Sequence, residues 1–337
     1  MIALIISIIL TLAALHTVAS ESIQSPSQST NKPDILIVDD EAEKEYQKLL
    51  DLDDEAQEEI DEWVKQSYNV STNSPALANV SLKLKIEQKL DSVKQAYENF
   101  LKKYPNHVKA RIAYASFLSD LGKEDESFKQ LQIAKETDPK NPAVWNNLAN
   151  YYGHNDQATN AFVHYQKAIE LKPSESVYYK NYATAIYMFR EEAMEFFHLT
   201  EEQVIEKAIQ LYKTALELDP KNFFIANDLA QTYYGFKLPK MPAKNLKNDK
   251  RIQEIADKAI KAWERAGLVA RDELEKQGVN IHIARWLIDS GRPEEARKYL
   301  DTVNLEVYET TKNILLKKLE AMLNELNSSA PEKPSEK

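Results

Sequence analysis

Three small groups of amide and charged side chains are the residues best suited to chemistry. They are Asn146, Asn147 and Asn150; Lys180, Asn181 and Thr184; and Asn227, Asp228 and Gln231. An Asn side chain presents a donor and an acceptor together, so it can pair with both sides of a peptide bond. A row of such residues on successive helices holds an extended chain with little regard to its side chains. That is recognition chemistry, and catalysis has weaker support. His107, His154, His164, His198 and His282 form no H-x3-H pair and have no carboxylate at ligand spacing. Asp51, Asp53, Asp54, Glu55 and Glu62 bring the acids of a calcium loop, but Ala56 stands where the turn needs Gly. With 6 Gly and no Cys, the chain shows no phosphate loop, dinucleotide fingerprint, nucleophile elbow or thiolate site. An enzymatic reading would have to gather Glu191, Glu192 and Asp228 in one place, and acids on helices are ordinarily surface charge. The chain is therefore expected to be no enzyme and to need no cofactor or metal.

The elements that must position these groups are clearest in residues 142–173, PAVWNNLANYYGHNDQATNAFVHYQKAIELKP. Trp145, Leu148, Ala149 and Tyr152 recur at helical spacing, as do Ala161, Tyr165 and Ala168, with a polar turn between the two sets. Small Ala149 and Ala161 allow two helices to approach closely, and Pro173 stops the second. Pro105, Pro139 and Pro173 are 34 residues apart, and Pro220 follows after 47. Packing positions keep step: Ala115 with Ser127, Ala149 with Ala161, and Ala284 with Ala296 are each 12 apart. Ala183 with Ala208 and Ala230 with Ala259 keep the pattern if insertions of 13 and 17 residues are allowed.

These residues resemble the tetratricopeptide repeat, whose W-x2-L-G-x2-Y…A-x3-F…P pattern is met with Ala in place of Gly. The resemblance implies an all-α solenoid of about five helix-turn-helix repeats: 108–141, 142–175, 176–222, 223–271 and 272–304. A capping helix over 305–326 would close its last apolar face. It also implies a concave groove lined by the first helix of each repeat. Asn146, Asn147, Asn150, Lys180, Asn181, Thr184, Asn227, Asp228 and Gln231 would face it, with Tyr187 and Tyr234 as neighbours. Asn147 and Asn181 are similar to the asparagine ladder of peptide-holding repeats. They can equally be solvated residues bonded to their own helix. The carboxylate clamp of related repeats is not expected, because its cationic positions read Asn146, Phe224 and Asp228 here.

The remaining segments follow from composition. Residues 1–15 are almost wholly apolar and small residues follow, so 1–20 reads as a signal peptide, although no Lys or Arg precedes Lys32. Export to a periplasmic, extracellular or cell-envelope location is expected, with no transmembrane span in the mature chain. Residues 21–40 read as a flexible linker, 41–68 as an acidic helical segment, 69–81 as a second linker, 82–326 as the solenoid and 327–337 as a disordered tail. The apolar stripe of the acidic segment is Tyr46, Leu49, Leu50, Ile60, Trp63 and Val64, which predicts docking at the solenoid's start. Net charge is −10, yet Asp39 to Glu62 carries 13 acids and two lysines, leaving the rest near neutral. No basic face suits nucleic acid. The insertion over 188–200 is expected to extend its first helix and return, with Thr200 and Gln203 forming a capping box. The insertion over 236–250, rich in Lys and Pro, is expected to be a loop. The expected partner is thus a protein or peptide in the groove. The alternatives are an oligomer-forming subunit with no groove ligand, or a helical-repeat hydrolase or transferase.

Overall fold

A computed structural model describes residues 40–69 and 75–328. The expected signal peptide, residues 21–39 of the expected first linker and most of the expected C-terminal tail lie outside the described residues. Among the described residues the chain is helical throughout, with no strand, and no helix is long and apolar enough to cross a membrane. It divides into two compact units, one ending at Asn155 and one beginning at Asp156.

The first unit holds α1 (Asp40–Asn69), α2 (Pro75–Lys103), α3 (Val108–Asp120), α4 (Glu124–Thr137) and α5 (Pro142–His154). The acidic segment is a single helix. Its ion pairs Glu45–Lys103 and Glu59–Lys89 show that α1 and α2 run antiparallel. Tyr46, Leu49 and Ile60 of the expected stripe are buried, while Leu50, Trp63 and Val64 are half-buried. The stripe meets Tyr97, Phe100, Tyr114 and Phe117, so the acidic helix docks on α2 and α3 as an additional helix pair before the first repeat. The linker expected over 69–81 is helical from Pro75 onward. Pro fits the first position of a helix, and the Ala, Leu and Lys that follow have no reason to break it. Ser127 donates a 2.7 Å hydrogen bond to the Ala115 carbonyl, which fixes the α3–α4 register at the spacing read from the sequence. Asn141 caps α5, where Pro142 occupies the first turn.

The second unit holds α6 (Ala158–Leu171), α7 (Ser176–Met188), α8 (Arg190–Phe197), α9 (Glu201–Leu218), α10 (Phe223–Thr232), a 3-10 turn over Tyr233–Gly235, α11 (Ala243–Asn248), α12 (Lys250–Val269), α13 (Glu273–Asp289), α14 (Pro293–Leu300) and α15 (Glu306–Ser328). One apolar core runs from Ala183 through Trp263 and Trp286 to Leu319. Ala183, Ala208, Ala230, Ala259, Ala284 and Ala296 are all fully buried, as close helix packing requires.

The structure corrects the reading of three segments. The insertion over 188–200 does not extend α7. The backbone leaves the helix at Phe189, and a separate α8 seats Phe196 and Phe197 on Phe162. The capping box at Thr200 and Gln203 is present in both directions. The insertion over 236–250 is not all loop: it contains α11, because Ala243 and Leu246 are buried. On α15, where the apolar spacing predicts Val307, Ile314, Leu315, Leu319, Met322 and Leu323 inward, Val307 and Ile314 are instead 67% and 61% exposed. Leu315 and Leu319 are the buried pair, with Met322 and Leu323 beside them. One residue rotates the side chain by about 100° on a helix, so Ile314 and Leu315 cannot share that face.

Candidate functional site

The fully buried alanines supply a common register for the first helices. Two residues before Ala149, Ala183, Ala230 and Ala284 stand Asn147, Asn181, Asp228 and His282. One residue after them stand Asn150, Thr184, Gln231 and Arg285. These two positions are three residues apart, so on a helix they are neighbours on one face, and each alanine carries a pair of polar residues to the same side of it. The row extends into the last repeat through His282 and Arg285, which the reading of the Asn positions missed. The signal was present in the spacing from Ala284.

In the first unit the row is held close to its own helix. The Asn147 side-chain amide donates to the Ala143 carbonyl at 2.9 Å, leaving its oxygen as an acceptor. Asn150 is half-buried. Asn146 is only 6% exposed and belongs to the buried side of α5, which corrects its assignment to the groove. Its neighbour Trp145 is turned outward, with its indole N–H on the Pro139 carbonyl.

In the second unit α7, α10 and α13 carry the row. Asn181 and Lys180 are half-buried. The Thr184 hydroxyl is engaged, donating to the Lys180 carbonyl at 3.0 Å and lying 2.7 Å from the Tyr212 hydroxyl. Its role is therefore to tie α7 to α9, and it is not an open ligand contact. Burial pushes the Asp228 carboxyl above its ordinary range, while the Lys180 charge and a hydrogen bond from Asn227 pull it back. Gln231 is exposed and has no hydrogen-bond partner among the described residues.

Past Gln231 the site becomes aromatic. Tyr234 stacks on Trp286 at 5.1 Å, and its hydroxyl is 2.9 Å from His282 Nδ1. The His282 ring lies parallel to Trp263 at 4.1 Å. Burial lowers the His282 pKa to about 4, and the Arg285 charge acts in the same direction. His282 is therefore neutral near pH 7, able to accept on one nitrogen and donate on the other. The acids of an enzymatic reading are dispersed over two elements: Glu191 and Glu192 are exposed on α8, and Asp228 is on α10. No group of three or more His, Asp or Glu residues suited to a metal ion occurs among the described residues.

Paired short helices, alanine contacts and this register agree with one family model: residues 142–175 match the tetratricopeptide repeat. These residues are a tetratricopeptide repeat. Part of the chain is similar to several solved structures. PilW, described as a widely conserved type IV pilus biogenesis factor, is 13% identical over 73% of this chain and 96% of its own, with a TM-score of 0.47. The pilF protein of Pseudomonas aeruginosa is 12% identical over 78% of this chain and 99% of its own, with a TM-score of 0.48. YrrB, described as a tetratricopeptide-repeat protein with an unusual peptide-binding site, is 12% identical over 66% and 99%, with a TM-score of 0.46. No curated protein sequence matches this chain. Among the described residues the chain is all-α, and Asn147 and Asn150 occupy first-helix positions of the tetratricopeptide repeat at 142–175.

Proposed function

We propose that this protein is a non-catalytic scaffold that holds a protein or peptide partner on the polar row of its first helices, and acts as an adaptor in an exported compartment, periplasmic or at the cell envelope. One observation carries the reading. Behind the row the alanines are fully buried, while Asn181, Asp228, Gln231, His282 and Arg285 all keep partly or fully exposed polar side chains at matching positions. Side chains that serve only packing would not repeat as donors and acceptors on the open side. The export part rests on the apolar residues 1–15 and the small residues after them. The test is affinity capture with the full chain and its Asn181→Ala/Gln231→Ala variant, compared at equal helicity and melting temperature. Partner recovery should fall with the variant while the fold is unchanged. Equal recovery would remove the row from binding.

A second reading, a structural subunit without a groove ligand, is favoured by one feature: Leu268, Leu274, Val307 and Ile314 are exposed in the second unit. Sedimentation of wild type and Leu268→Ser/Val307→Ser separates the readings. Loss of an oligomer in the variant would favour the subunit, and an unchanged monomer would dismiss it.

A further inference from the structure

Three successive loops of the second unit lie along one edge: 219–222 between α9 and α10, 270–272 between α12 and α13, and 301–305 between α14 and α15. Direct contacts tie them together. Arg265 of α12 donates to the Pro220 carbonyl, and the Arg271 guanidinium lies 4.4 Å from the Phe224 ring. The Tyr308 hydroxyl donates to the Leu274 carbonyl at 2.9 Å, and buried Gln277 accepts from the Asn304 and Leu305 amides. The edge is thus fixed by the fold, yet it is apolar. Leu218, Phe224, Leu268, Leu274 and Val307 each occupy the first or last two residues of a helix here, and all five are exposed, Leu268 by 78%. A contiguous set of large apolar residues on a rigid edge marks an interface.

We propose that two copies of this chain pair across this edge, about a two-fold axis at the middle loop. The proposal rests on the exposed apolar residues of the subunit reading above, but it leaves the polar row, which lies further along the same helices, free to bind. Charge selects the partner. The ion pairs at the middle loop are Arg271–Glu275 and Lys276–Glu273, both internal to one copy. Lys221 and Arg265 at the first loop form no ion pair among the described residues, and neither do exposed Glu306 and Glu309 at the third. Of the acids near the first loop, Asp219 is engaged by Asn222, and Glu217 follows Lys213 by one helical turn. A two-fold interface must complement itself, so antiparallel pairing brings the first loop of one copy to the third loop of the other. Lys221 then meets Glu306 of the second copy at both ends, while Leu268 and Leu274 meet their counterparts near the axis. An anionic lipid surface would be repelled by the acids of the third loop.

The test is sedimentation equilibrium of the full chain with charge reversals. Wild type should form a dimer that weakens with added salt. Lys221→Glu and Glu306→Lys should each raise the dimer dissociation constant about tenfold or more, because like charges then face each other twice. The double variant Lys221→Glu/Glu306→Lys should restore it. The chain has no Cys, so Leu268→Cys introduces a single thiol. Under mild oxidation it should give an interchain disulfide, and Val163→Cys, exposed on α6 away from this edge, should not. A monomer at every concentration overturns both the subunit reading and the pairing. A dimer that ignores the single reversals, or that the double variant fails to restore, keeps the subunit reading and overturns this pairing. Equal crosslinking from positions 163 and 268 also overturns it. Should a reversal unfold the chain, the comparison of the two thiol variants decides.

Discussion

The Tyr97 hydroxyl donates a 2.7 Å hydrogen bond to the Asp53 carboxylate in the buried contact between α1 and α2. Burial, with the Asp53 charge beside it, raises the Tyr97 pKa far above its usual value. The phenol therefore stays protonated and keeps donating. This bond explains how a strongly acidic helix remains attached. Its outer acids meet Lys89, Lys103 and Lys109, but those exposed pairs contribute little each. Tyr97→Phe should destabilise the first unit by roughly 1–3 kcal/mol, because a buried carboxylate loses its charge-assisted partner. Chemical denaturation followed by tryptophan fluorescence of Trp63 checks this. An unchanged midpoint would mean that α1 is held by apolar contacts alone.

The His282 site gives a pH dependence with a definite sign. Its pKa of about 4 in the fold lies below the ordinary 6.5, so the unfolded chain takes up the proton first as pH falls. The stabilisation is complete above pH 6.5 and is lost as pH drops from 6.5 to about 4. It amounts to on the order of 3 kcal/mol. Asp228, raised by burial, acts in the opposite sense, and His107, lowered by burial, in the same sense. The difference between wild type and His282→Phe isolates the one group. Melting temperatures taken across this range should fall more steeply for wild type than for the variant. Parallel curves would contradict the buried, neutral imidazole.

How much of this was legible in the sequence depends on which physical signal carried it. Ala115 with Ser127, and the later alanines, were readable because a close helix approach admits only small side chains. The Thr200–Gln203 box was readable because local hydrogen bonding alone decides it. The start of α2 at Pro75 was hidden by Ser/Thr/Asn-rich flanks that look like linker. α11 was hidden by lysines and prolines around just two buried residues, Ala243 and Leu246. The Asn positions were visible, but not which bonds were already used. Burial of Asn146 and the Thr184–Tyr212 contact come from packing between helices distant in the chain. His282 and Arg285 were overlooked because their repeat keeps little of the motif beyond its alanines.

Gly291 holds α11 in place. Its φ of +80° suits glycine, and a Cβ there would stand 2.7 Å from the Ala243 carbonyl oxygen and 2.8 Å from the Lys247 amide nitrogen. Gln253 adds bonds to the Leu246 and Ser290 carbonyls. Gly291→Ala should cost about 1–3 kcal/mol through backbone strain and displacement of α11. It should also open Lys240 and Lys244 to trypsin. Limited proteolysis with mass mapping checks it, and an unaltered cleavage pattern would mean that α11 is not anchored by this contact.

The central claim is that ligand lies on the first-helix row, and site-specific photo-crosslinking tests it most directly. A benzophenone amino acid would be placed at Gln231, on the row, and at Glu206, exposed on α9. After irradiation in the native host, the account predicts a discrete adduct from position 231, reduced by Asn181→Ala, and none from position 206. Adducts of equal strength from both positions, or from position 206 alone, would contradict it.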